Sequence, residues 1–156
     1  MSAQAYKTGV TVSSTTLADL VGAGVLTGHI RHDETDGSSY RLCKVGAAAI
    51  ADGLCAKKDA TTSLELTVIK TTAIATSVTL GINNTGGEVA IGAYFWAKMG
   101  GVCYCDGVAA GWNDGDAVTG GVAGEMTVAV VGANDVFGVA MNDDSATITV
   151  NRIAIR

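Results

Sequence analysis

Clusters of Gly, Asn, Asp and Ser interrupt this chain at short intervals and leave only short apolar runs between them. Punctuation of that kind leaves no room for long helices and reads as strands joined by turns. Leu64, Leu66 and Val68 alternate with Glu65, Thr67 and Ile69, the period of a half-buried strand. Residues 74–80, rich in Thr and β-branched side chains, stop at the turn cluster 81–87. Gly100 and Gly101 separate the apolar runs 89–99 and 102–105, which reads as a hairpin connection. Runs at 25–31 and 40–45 flank the polar stretch 33–37, a second hairpin. Further strands are predicted over 126–131, 136–141 and 146–155.

The last of these carries an irregularity. Ile148 and Val150 share one face, Ile153 and Ile155 the other, so the phase switches at Asn151-Arg152. A bulge, a bend or a change of packing partner is predicted there, in a strand that serves two sheets or turns a barrel corner. Helix is scarce: Ser14 caps a short turn that Gly22 ends, and residues 47–51 supply one more turn. Neither is long enough to stand without tertiary packing. The expectation is an all-β chain, a single compact β-sandwich or barrel-like domain with short helical turns over residues 13–156, behind a mobile arm at 1–12.

Composition narrows the function. Of 156 residues 21 are Gly and none is Pro, so turns fall to Gly and Asn. An apolar content of 48% with a net charge of −5 argues against a disordered chain. Ten basic against fifteen acidic residues argue against a general nucleic-acid binder, which needs a basic footprint. No apolar run approaches the ~18 residues of a membrane-spanning helix, so no membrane partner is expected. The first residues lack the basic-then-apolar pattern of a secretion signal, and export through one is not expected.

The residues that could carry chemistry have bland readings. Cys103 and Cys105 point to one face of a strand, side by side, which is half of a metal-ligand pattern. No second close pair accompanies them, so Cys43, Cys55, Cys103 and Cys105 read as buried thiols acting as small hydrophobes. His29 and His32 stand near Asp33 and Glu34, but an i, i+3 pair on a strand points to opposite faces; they read as exposed hairpin-end residues. The clusters 113–116 and 142–144 offer carboxylate oxygens without the spacing of a calcium loop and read as turns. Gly120, Gly121 and Gly124 are not followed by the Lys-Ser/Thr of a phosphate loop. No nucleophile elbow occurs either. No catalytic, cofactor or metal residue is therefore assigned, and no enzyme is expected. Tyr94, Phe95 and Trp96 load both faces of one strand, which predicts a central strand or a face that meets another chain; Trp112, beside a turn, reads as a lid over the core.

Two stretches together resemble the head decoration (cement) proteins of tailed bacteriophages. The first runs from Gly37 through Tyr40-Arg41-Leu42 to the Ala-rich segment ending at Gly53. The second runs from Gly92-Ala93-Tyr94-Phe95-Trp96 through Ala109-Ala110-Gly111 and Gly115-Asp116-Ala117-Val118 to Phe137-Gly138-Val139-Ala140. The resemblance implies a viral structural protein on the outer surface of the virion capsid, made in the host cytoplasm. It implies that the protein binds the major capsid protein after shell expansion and stabilises the shell. It further implies a homo-oligomer, a homotrimer by family habit with a dimer as the other arrangement, and no cofactor. The competing expectations are another β-rich structural or adhesive protein, such as a fibre, knob or surface-layer component, and a small metal-binding or redox enzyme, which would have to use Cys103, Cys105, His29 or His32.

Overall fold

The computed structural model describes residues 27–60, 65–73, 78–107, 112–130, 132–142 and 147–152. These hold strands β1 (Ile30–His32), β2 (Ser39–Val45), β3 (Cys55–Lys58), β4 (Thr67–Lys70) and β5 (Thr79–Ile82). They continue with β6 (Tyr94–Asp106), β7 (Ala117–Gly120), β8 (Met126–Val128), β9 (Gly138–Ala140) and β10 (Thr147–Arg152). A single 3₁₀ turn, Val122–Gly124, is the helical element among the described residues. The protein is all-β.

Five strands close into a barrel in the order β2-β4-β3-β5-β6, with β6 returning to β2. The β2–β4 pair is parallel and the other four are antiparallel. Register decides what lies inside. Cys43 pairs with Phe95 and Val45 with Val68, so these side chains share a face with Ala97, and all are buried. Ile50 and Ala56 complete that core. Leu42 and Trp96, paired with each other, turn the opposite way.

A second sheet runs β6-β10-β9-β7-β8 and curls back on itself, since Met126 of β8 bridges Gly107 at the end of β6. Its core holds Cys103, Cys105, Trp112, Val118, Met126 and Phe137, and it takes in Cys55 and Ile82 from the flank of the barrel. The seam between the two units is tight at Gly120, whose N–H donates to Thr79 Oγ1 at 2.9 Å. A Cβ at Gly120 would stand 2.5 Å from that same oxygen. Asn83, fully buried, closes the neighbouring loop. Its Nδ2 donates to Ile50 O at 2.8 Å and Gly87 O at 2.9 Å, and its Oδ1 accepts from Thr85.

The β1–β2 hairpin around 33–37 is present, and so is the strand at 67–70 with Val68 inward. Three expectations are overturned. Gly100-Gly101 is no hairpin: β6 runs through it unbroken. Its first half pairs with β2 and its second with β10, so neither half needs the other. Gly101, at φ +81°, lets the strand bend where a Cβ would meet Ser38 Oγ at 2.9 Å. Secondly, the bulge is absent as far as Arg152, where β10 keeps an even register through Asn151↔Val102 and Arg152↔Gly101; a bend or change of packing partner at the phase switch falls outside the described residues. The strand shared by two sheets is β6. Thirdly, residues 47–51 form bends and an Ile50↔Val89 bridge in place of a helical turn, because Ile50 exchanges both backbone hydrogen bonds with Val89. The Ser14 turn, the arm at 1–12, Leu64 and the phase switch beyond Arg152 lie outside the described residues.

Candidate functional site

The residues singled out from the sequence do not converge on one place. His29, just ahead of β1, meets the Trp96 ring edge-on at 6.4 Å, while the His32 Nδ1 is 2.8 Å from Ser39 Oγ. Both histidines are exposed. Cys43 lies in the barrel core; Cys55, Cys103 and Cys105 lie in the core of the second sheet. Cys103 and Cys105 do share a face, and it is the buried one. Burial disfavours the thiolate, which pushes Cys43 up to about 12 and raises Cys55 and Cys105 as well.

The acidic cluster at 113–116 is a turn. Asn113 N–H donates to Asp116 Oδ2 at 2.8 Å, Asp116 N–H to Asn113 O at 3.0 Å, and Gly115 N–H reaches Ala140 O at 2.9 Å. Asn142 is described; Asp143 and Asp144 lie outside the described residues. Gly121 and Gly124 bound the tight β7–β8 connection, where Gly121 N–H donates to Glu125 O at 2.7 Å. Trp112, 2% exposed, caps the second core together with Phe137 and Met126. Phe95 and Trp96 are both buried, as a strand with neighbours on both faces requires.

Two surface features emerge only from the fold. On the second sheet, Val102 and Tyr104 of β6 are 39% and 61% exposed, and Val139 of β9 and the following Met141 are 43% and 47% exposed. Val102 and Val139 both pair with Asn151 on the intervening β10, which places them on one face. Tyr104 is held in place by its backbone. Asn84 Nδ2 donates to Tyr104 O at 2.5 Å and Tyr104 N–H donates to Asn84 Oδ1 at 3.1 Å, so a side-chain amide seals that strand edge. The result is two sets of exposed apolar side chains, Val102 and Tyr104 on β6 and Val139 and Met141 on and after β9, on the two sides of β10. Its signal was the alternation in Val102-Cys103-Tyr104-Cys105, whose outward half sequence reasoning passed over in favour of the thiols.

On the barrel, cations lie against aromatic rings along the outer face of β1, β2 and β6. Arg31 pairs with Tyr40, and Tyr40 with Lys98. The Arg31 guanidinium carbon lies 4.8 Å from the Tyr40 ring centre and 5.1 Å from that of Trp96; Lys98 Nζ lies 5.8 Å from the Tyr40 ring. Further along, Lys44 Nζ is 2.6 Å from Glu65 Oε2 and Tyr94 OH donates to Glu65 Oε1 at 2.6 Å. The hydrogen bond from Lys44 and then that from Tyr94 hold the Glu65 carboxyl below its usual range, and the same carboxylate raises Lys44 and Tyr94. No local motif announces this row, because Arg31 and Trp96 meet only when β1 and β6 flank β2.

Comparison with protein-family models, with curated protein sequences and with solved structures finds no match.

Proposed function

We propose that the chain is a virion structural protein that decorates the outer surface of a tailed-phage head. It binds the major capsid protein of the expanded shell, acts as a homotrimer, and stabilises that shell without being an enzyme. The observation that carries this reading is the set of solvent-exposed apolar side chains Val102, Tyr104, Val139 and Met141 on a sheet backed by a packed core. A rigid patch without charged side chains docks with little desolvation penalty. The two stretches that resemble decoration proteins support it further. They supply β2 and the strands from β6 to β9, hence the β2–β6 junction and most of the second sheet. Preferential binding to the expanded shell stabilises it by mass action, and an oligomer touching several shell subunits gains avidity from modest contacts.

The test is co-sedimentation of the purified protein with expanded, undecorated heads, with unexpanded heads as control. Saturable binding to expanded heads alone is expected. Binding to neither form would overturn the proposal, and long filaments of the purified protein would favour a fibre or surface-layer component instead.

A further inference from the structure

Tyr104 projects its ring into solvent from a backbone that is fastened on both edges. On one edge it pairs with Thr149 of β10. On the other, β5 ends at Ile82, opposite Lys98, and does not reach it. There a side chain takes the place of a strand neighbour. Asn84 Nδ2 donates to Tyr104 O at 2.5 Å, and Asn84 Oδ1 accepts from Tyr104 N–H at 3.1 Å. A primary amide carries donors and an acceptor side by side, so it makes both bonds that a strand residue would make.

The turn that carries Asn84 is anchored in the barrel. Its neighbour Asn83 is fully buried, accepts from Gly53 N–H at 2.7 Å and donates through its own N–H to Leu54 O at 3.0 Å. Gly86 N–H donates to Asp52 Oδ1 at 2.9 Å. The 52–54 turn then reaches β6 itself, where Asp106 N–H donates to Gly53 O at 3.0 Å. Gly53 stands at φ +82°, and a Cβ there would lie 3.0 Å from Asp106 Oδ1, so this approach requires glycine. Two interlocked barrel turns thus hold β6 at Tyr104 and at Asp106.

We propose that Asn84 is a positioning residue for docking on the shell: it fixes the backbone from which the Tyr104 ring meets the shell protein. The inference rests on the decoration reading of Tyr104. An exposed side chain that anchors a complex must be ordered when the complex forms. With its backbone already held, Tyr104 gives up only the rotation of a side chain with two torsions. On a loose strand edge it would give up backbone motion as well.

The test measures affinity and dissociation rate on expanded heads for the full-length wild type, Asn84→Ala, Tyr104→Ser and the double variant. Hydrogen exchange of the Tyr104 N–H is followed in the free proteins. Asn84→Ala is expected to speed that exchange about tenfold. It should also weaken head binding about fivefold, through faster dissociation. In the Tyr104→Ser background the same substitution is expected to change nothing further, because the two residues act as one unit. Asn84→Asp keeps the acceptor for Tyr104 N–H and loses the donor; it carries the comparison if Asn84→Ala does not fold. Undiminished binding by Asn84→Ala, or a loss that persists in full without the Tyr104 ring, would overturn the proposal and leave the decoration reading standing. Wild-type protein that does not bind expanded heads would overturn the decoration reading and the positioning role with it.

Discussion

At the scale of single residues, the four cysteines show how burial settles chemistry. Their thiols fill cores among Leu42, Phe95, Trp112 and Met126, and desolvation raises Cys43, Cys55 and Cys105 above the ordinary thiol range. At pH 8 a thiol at about 12 is thiolate to only ~10⁻⁴, and thiolate is the reactive form. Native protein is therefore expected to leave Cys43, Cys55, Cys103 and Cys105 unmodified by an aromatic disulfide reagent over the minutes in which unfolded protein loses all four thiols. Rapid reaction of even one in the native state would contradict this placement. That Cys103 and Cys105 share a face was legible from parity. Which face became the core was not, since both faces of that strand carry side chains able to pack.

At the scale of elements, the decisive device is one strand serving two sheets, and the tight seam beside it. A Cβ at Gly120 would press on Thr79 Oγ1 at 2.5 Å and on Thr71 Cγ2 at 2.7 Å, between barrel and second sheet. Gly120→Ala is expected to lower unfolding stability by about 1–3 kcal/mol, the usual cost of overpacking. Gly87→Ala, whose Cβ meets nothing within 4 Å, should stay within ~0.5 kcal/mol. Chemical denaturation of the two variants compares them directly.

The Lys44–Glu65–Tyr94 cluster makes a second prediction at this scale. The folded Glu65 pKa is depressed, so its contribution is present above the unfolded glutamate value and lost as pH falls through the folded one. Lys44 and Tyr94 are raised, so their contribution holds below their unfolded values and disappears only as the solution becomes strongly alkaline. The melting-temperature advantage of wild type over Glu65→Gln should thus be flat near neutrality and vanish in acid. An advantage that persists at pH 2 would exclude this account.

At the scale of the whole molecule, a closed barrel and a curled second sheet leave Val102, Tyr104, Val139 and Met141 facing outward. Tyr104→Ser with Val139→Thr removes apolar area there without touching either core. Stability should stay within about 1 kcal/mol, two surface changes of about 0.5 each, while binding to expanded heads weakens at least about tenfold. Binding that is unchanged in the double variant would place the docking surface elsewhere.

Local chemistry alone determined that this chain would be built of strands. Frequent Gly and Asn turns, short apolar runs and period-two alternation leave no other way to satisfy the backbone, and the β1–β2 hairpin follows from its own turn residues. Pairing across distance was decided only in three dimensions. Gly100-Gly101 is compatible with a turn or with a bend in one long strand, and the choice fell to β2 and β10, which offered each half of β6 a partner. The same holds for both surface features. Arg31 and Trp96 lie far apart in sequence and touch through β2, while Val102 and Val139 share a face only because β10 stands between them. Periodicity records which side chains alternate; the partner strand decides which alternate set meets water.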